Sequence, residues 1–371
     1  MERRRYIGIM VGVMGLGALY LVSSSLLPRE GTQTEKTTTK QQTTSQTTPY
    51  TETATTSPTT LVTSRQQTIT TTTMMTATSV LQPQWVVEEP LPIRLTEVAM
   101  VAAERTLYLA GGLTADGKAS ARFFSYDVGL RRWRELSPMP AERHHVGLVY
   151  SGGFVYVIGG YDQEWIAQRN MYAYNIRRDV WEELTPLPAA RAALTAQPVD
   201  KLIYVVGGAR NNLPLNINEV YDLSANMWIT RAPMRVAREH LTSGVVGRML
   251  YVIGGRVVSG GGMTNLDITE MYDVERNSWS VRKPMPTARS GIAAAVVKNK
   301  IYVFGGESMV KTFGEVEAYD PSSDRWEKVA MLPTPRHGLG VAAVDDRIYT
   351  VAGGSSPGLY VSDVNEVLVL G

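Results

Sequence analysis

The stretch KIYVFGG (residues 300–306), followed by VEAYD (316–320), RWEKV (325–329) and MLPTPR (331–336), decides the fold. Between Arg289 and Arg336 the chain reads as four short strands: Gly291 to Val297, Lys300 to Gly306, Val316 to Asp320 and Arg325 to Val329. Each is rich in β-branched, aromatic or small apolar residues and is bounded by turn formers. Asp320-Pro321-Ser322-Ser323 makes a turn, because an Asp side chain bonds its own backbone and Pro presets φ. Such a sheet cannot cover both of its faces alone, so it requires neighbours of its own kind.

Those neighbours are in the chain. Gly-Gly pairs end apolar runs at Gly111-Gly112, Gly159-Gly160, Gly207-Gly208, Gly254-Gly255, Gly305-Gly306 and Gly353-Gly354, spaced 48, 48, 47, 51 and 48. Trp85, Trp133, Trp181, Trp228, Trp279 and Trp326 keep step at 48, 48, 47, 51 and 47. Tyr108, Tyr156, Tyr204, Tyr251 and Tyr302 each precede the first glycine by three residues. Asp127, Asn175, Asp222, Asp273 and Asp320 each follow a tyrosine and precede a tryptophan by six. Distances that hold while loop lengths vary belong inside rigid hairpins. Four strands at a period near 48 predict an all-β, six-bladed propeller over residues 85–371.

The order apolar-Tyr-Val-x-Gly-Gly, Tyr-Asp, Trp and Pro-Met-Pro-x-x-Arg resembles the kelch repeat, clearest at Met139-Pro140 to Arg143 and Met285-Pro286 to Arg289. The domain opens on a fourth-strand tryptophan, Trp85, and closes on a third strand, Val364 to Leu370. Open sheet edges are adhesive, so Gln84–Val87 is expected to pair beside Asn365–Leu370 and complete the sixth blade, as the swapped strand of kelch propellers does. Three departures stand out. Tyr349 precedes Gly353 by four residues, which predicts a bulge; Val369 replaces the expected Asp; Phe124 and Tyr172 stand where three other units have Glu219, Glu270 and Glu317.

Upstream, Arg3, Arg4 and Arg5 (cytoplasmic segment 1–5) precede an uncharged, mostly apolar run from Tyr6 to Leu27. At ~1.5 Å per residue that run spans about 33 Å, enough for a transmembrane helix over 6–27 with the rest of the chain outside. A cleaved signal peptide ending near Ser23, Ser24 and Ser25 is the alternative and would release the protein. Gly8 and Gly12 form a small-xxx-small pair that suits a homodimer of such helices. Residues 28–84 read as a disordered stalk: 23 of the 54 residues from Gly31 to Gln84 are Thr, with too little apolar surface to offset ordering entropy. Dense Thr with Pro also suits O-glycosylation.

The formal net charge of +2 gives no nucleic-acid footprint, and the absence of Cys excludes thiol chemistry and thiolate metal sites. Candidate ligand-binding residues are those of the loops after Gly-Gly: Tyr161, Asp162, Glu164 and Trp165; Arg210, Asn211 and Asn212; Arg256; Glu307 and Ser308; Ser355 and Ser356. Arg143, Arg191, Arg238, Arg289 and Arg336 recur once per unit, which points to ion pairs or carbonyl contacts between blades. All four histidines follow these arginines: His144, His145, His240 and His337. A metal site is disfavoured on geometry. His144 and His145, adjacent on a strand, would face opposite ways, and His145 and His240 fall in non-neighbouring blades, too far apart to share an ion. A channel-facing binding role for His145 or His240 is the better expectation.

These features point to a protein- or glycan-binding module on the cell surface, with no cofactor. The kelch resemblance adds an enzymatic alternative, since some exported six-bladed kelch proteins are sialic-acid mutarotases. Glu164, Glu307, Arg210 and Arg256 would then handle an acidic sugar. Copper chemistry of the galactose-oxidase kind needs a Tyr–Cys cofactor, which a chain without Cys cannot form.

Overall fold

The computed structural model describes residues 83–259 and 262–371. The expected membrane segment, stalk and Gly8/Gly12 contact lie outside them. Within them the regular structure is all strand, arranged as six four-stranded antiparallel sheets and two short hairpins. In each of the first five blades the strands run in sequence order from the axis outward. Blade one is Ala99–Ala103, Thr106–Ala110, Phe123–Asp127 and Arg132–Glu135; blade five is Ala293–Val297, Lys300–Phe304, Glu315–Asp320 and Arg325–Met331. The innermost strands neighbour one another from blade one round to blade six and back to blade one, so the ring is closed.

Closure happens as expected. Gln84–Val87 pairs antiparallel with Asn365–Val369 and supplies the outer strand of blade six, with Trp85 opposite Leu368. Glu88 then turns inward, accepting from Tyr126 Oη at 3.0 Å and from Arg347 at 2.9 Å, which ties blade one to blade six.

The described residues have no single central core. Six apolar clusters fill the six gaps between blades, such as Phe124, Tyr126, Tyr349 and Val367 between blades one and six. The repeated aromatic pair explains itself here. Tyr126, Tyr174, Tyr221, Tyr272 and Tyr319 lie against Trp133, Trp181, Trp228, Trp279 and Trp326 with ring centroids 4.9–5.2 Å apart. Each of those indole N–H groups crosses a gap to a backbone carbonyl upstream, Trp181 to Ser137 and Trp279 to Ala232 among them. The Asp after the tyrosine caps the outer hairpin, as Asp127 Oδ1 does by accepting from the amides of Gly129 and Leu130 at 2.8 Å.

The first glycine of each pair sits at positive φ beneath a carbonyl. A Cβ on Gly305 would come within 2.2 Å of Arg336 O. Blade six departs from the sequence reading. Its second strand, Arg347–Val351, pairs without a bulge on either side. The residue in the first-glycine position is Ala352 at φ 59°, followed by Gly353 at φ 98°, and Gly354 occupies the place that Glu307 has in blade five. The pair is Ala-Gly, and the extra residue before Gly353 is this alanine. Among the described residues the one bulge falls elsewhere, between Val316 and Glu317 in blade five.

The arginines are buried, four of them completely, and their partners lie inside their own blade rather than across a gap. Arg191 meets Glu219 at 2.9 Å, Arg238 meets Glu270, Arg289 meets Glu317 at 2.9 Å and Arg336 meets Glu366 at 3.2 Å. The same guanidinium groups donate to second-strand carbonyls, as Arg191 does to Val205 O and Arg336 to Thr350 O. Each arginine therefore fastens the segment entering a blade to that blade's second and third strands. Burial pulls Arg191 and Arg336 down to about 10, which keeps them cationic at neutral pH. Blade two has Tyr172 in place of the carboxylate, and Arg143 turns to Asn170 Oδ1 at 3.1 Å. Blade one dispenses with the pair: Leu95 and Phe124 occupy the two positions, both fully buried.

Candidate functional site

Two residues beyond each arginine position the chain reaches the propeller axis. Glu97, His145, Ala193, His240, Gly291 and Gly338 occupy equivalent places there, all at φ between 52° and 65°. Left-handed backbone is costly for residues with a Cβ, and it persists because the next blade fixes it. The amide of His145 donates to Glu97 O, Ala193 to His145 O, His240 to Ala193 O, Gly291 to His240 O and Gly338 to Gly291 O; Val98 N completes the circle on Gly338 O. These six bonds, 2.9–3.2 Å long, form a closed girdle joining every blade to the next. Below it lies a cavity of about 160 Å³, walled by Met100, Leu148, Ala196, Gln197, Ser243 and Ala294 among others.

The girdle sets one side chain per blade at the innermost radius, where opposite blades come closest. His145 and His240, from blades two and four, have ring centroids 4.7 Å apart, and a nitrogen of each lies within 4.8 Å of a Glu97 oxygen. The expected separation is therefore wrong: non-neighbouring blades meet at the axis. His144 and His145 are not on a strand and do not face opposite ways, because the left-handed turn at His145 brings their Nδ1 atoms to 2.6 Å.

A charged network surrounds this point. Glu97 lies 3.1 Å from both His145 Nε2 and His337 Nδ1. His337 Nε2 faces Ser356 O at 3.1 Å and Glu307 Oε2 at 3.6 Å. Glu307 holds Arg256 at 3.1 Å, and Arg256 reaches Glu239 at 3.0 Å and His240 Nε2 at 3.1 Å. Burial opposes charge on Glu97, but His145 and His337 outweigh it and keep the carboxyl well below its usual range. Burial likewise opposes charge on Glu239, which His240 and Arg256 nevertheless draw down to about 2. Burial would lower His337 too, yet Glu97 and Glu307 lift it to about 9, so it is an imidazolium at neutral pH. His144 is pushed down to about 3 by burial and by His145 and is neutral. Burial and Arg256 push His240 below its usual value.

Of the residues singled out in the sequence, the structure brings together Tyr161, Trp165, Arg256, Glu307, His145 and His240. Trp165, half exposed, stands edge-on to His144 at 4.4 Å between centroids, and Tyr161 lies 5.7 Å from His145. Asp162 builds its own loop, accepting from the amides of Glu164 and Ile166 and from Gln168. Glu164, Asn211 and Asn212 are exposed on their loops, the two asparagines at the tip of the hairpin formed by Ala209–Arg210 and Leu213–Pro214. Arg210 is exposed on that hairpin, and Ser308 Oγ accepts from Val310 and Lys311 within its own turn. The four residues suited to an acidic sugar therefore separate: Glu307 and Arg256 pair in the mouth, while Glu164 and Arg210 stand out on the loops of blades two and three. Sequence reasoning missed Glu97, His144, Glu239 and His337 as members of one site. Counting from the blade arginine would have placed Glu97, since Leu95 holds the arginine position of unit one.

The family model of the KLHDC2/KLHL20/DRC7 Kelch-repeats domain matches residues 62–255 and 240–370. No curated protein matches the chain.

Proposed function

We propose, from the premise that this chain belongs to the Kelch-repeat family, that its propeller is a protein-binding module whose contact face is the axial mouth. Kelch propellers are in general protein-interaction modules. The observation that carries the choice of face is where large apolar side chains are exposed. Trp165 and Ile166 in blade two, Leu213 in blade three, Val310 in blade five, and Leu359 and Tyr360 in blade six all stand on loops that follow the second strands, 49–87 % exposed. Among the described residues, the opposite end exposes three such side chains, Leu130 in a hairpin turn and Val180 and Met227 where fourth strands begin, none of them aromatic. An apolar rim around a charged, buried floor suits a protein partner: the rim supplies desolvated area and the floor supplies register. The same reading places the propeller outside the cell, tethered through Tyr6–Leu27 and the Thr-rich segment; the Arg3–Arg5 charge asymmetry and the length of the apolar run support that placement.

Screening the full chain against a peptide-display library and a glycan array tests the reading. Peptide binders that lose about tenfold or more in affinity with Trp165→Ala and with Tyr360→Ala are the expected result. Glycan binding without peptide binding, or peptides indifferent to both substitutions, would overturn it.

A further inference from the structure

We infer that Glu97, His145 and His240 form a binding site for a divalent transition-metal ion, Zn²⁺ above all, on the propeller axis. One ligand atom from each lies within 4.8 Å of the other two. A tetrahedral zinc with bonds of about 2.0–2.1 Å needs ligand atoms roughly 3.3 Å apart. Glu97 Oε2 and His145 Nε2 already stand at 3.1 Å, so loading asks chiefly for a small swing of His240. The set of two imidazoles and one carboxylate is one that zinc takes with a fourth position left open, and the adjoining cavity of about 160 Å³ has room for water there.

The hydrogen bonds around the three residues point the same way. His144 Nε2–H donates to Asp162 O at 3.1 Å, which leaves its Nδ1 as a lone pair. That lone pair accepts Nδ1–H of His145 at 2.6 Å, so His145 turns a bare Nε2 toward the Glu97 carboxylate. Two acceptors at 3.1 Å require a positive charge between them, whether a second ring proton or a metal ion. A ligating histidine that donates its other N–H, and a ligating carboxylate held from behind, make the outer shell typical of metal sites. His144 plays the first part and His337, donating to Glu97 Oε1 at 3.1 Å, the second.

His240 supplies an independent sign. It is 8 % exposed, its Nε2 accepts from Arg256, and its buried Nδ1 makes no hydrogen bond, with Glu239 Oε1 standing off at 3.5 Å. Ligation through Nδ1 takes the neutral ring in its other tautomer, the proton passing by way of solvent from Nδ1 to Nε2 with none released. Arg256 gives up one contact and keeps Glu239 and Glu307. The charge balance permits the ion: Glu97, Glu239 and Glu307 face two fixed cations, Arg256 and His337, leaving one negative charge uncompensated. The girdle holds all three donors on a backbone locked between blades, so little ordering remains for the metal to impose.

The full chain, purified without a polyhistidine tag and stripped with chelator, is titrated with ZnCl₂ by calorimetry, and bound metal is counted by mass spectrometry. One zinc per chain is expected, with affinity falling about a hundredfold in His145→Gln and His240→Gln, and about tenfold in His144→Ala. The chain's four histidines all lie in this mouth and it has no cysteine, so an X-ray absorption spectrum with two imidazoles identifies the site even if a variant misfolds. Uptake below about a tenth of an ion per chain, a zinc spectrum without imidazole, or undiminished binding in both folded glutamine variants would overturn the assignment.

Discussion

Two layers of the propeller sit two residues apart in every repeat and have opposite characters. The arginine layer is nearly uniform: five of six blades carry the residue, and four pair it with a buried glutamate in their own blade. The axial layer shares one backbone conformation and six equivalent hydrogen bonds, yet its side chains are Glu, His, Ala, His, Gly and Gly. Repetition of a side chain marks what each blade needs to hold its own shape. Repetition of backbone with varied side chains marks a position that the scaffold presents and does not use.

The largest expected effect lies in the uniform layer. Arg238→Leu leaves Glu270 buried and unpaired and should cost about 3–5 kcal/mol in denaturant unfolding. Blade one has already replaced the pair with Leu95 and Phe124, so adding Glu270→Phe should recover most of that loss. A double variant no more stable than the single would show that the layer is specified by more than local fit.

A middle-sized effect separates two histidines that share one repeat position, His144 and His337. His337, raised to about 9, contributes stability that is complete below its unfolded pKa near 6.5 and is lost as pH climbs through 9. His144, lowered to about 3, contributes in the other sense: its share is complete above about 6.5 and is lost as pH falls toward 3. Stability against pH should therefore crest near neutrality. His337→Gln should flatten the alkaline limb, by at most about 3 kcal/mol, and His144→Gln the part of the acid limb that precedes carboxylate protonation. Limbs unchanged by these substitutions would mean that the mouth does not hold the two rings in different charge states.

The smallest effect concerns the one place where the glycine repeat fails. Ala352→Gly should raise the unfolding free energy slightly, by up to about 1 kcal/mol in denaturant titration, because a residue with a Cβ at φ 59° stores strain that glycine does not. A loss of stability would show that the Ala352 methyl group is needed where it packs.

The blade count, the closing strand and the inter-blade aromatics were legible because they depend on spacing, and spacing survives in a linear sequence. The tryptophan series ends on 47 and the glycine series on 48, a mismatch that already placed Ala352 in the first-glycine position. Reading Tyr349 as the mark of a bulge gave weight to the glycine where the tryptophans were the steadier ruler. The axial site was less legible for a geometric reason. Distance between blades was judged from their order round the ring, which holds at the rim and fails at the centre, where His145 and His240 meet. Glu97 escaped notice because its repeat carries Leu95 in place of the arginine from which the other positions are counted.

The seam between Gln84–Val87 and Asn365–Val369 has a consequence for synthesis. On the ribosome the earliest strand has no mate until nearly the whole domain has been made, so the growing arc carries two raw edges while blades accumulate between them. Slow elongation lengthens that interval, and a chain broken off anywhere before Asn365 never leaves it. Such fragments should adhere to one another through their unpaired rims, which makes aggregation of truncated products, rather than their gradual unfolding, the expected hazard of interrupted translation.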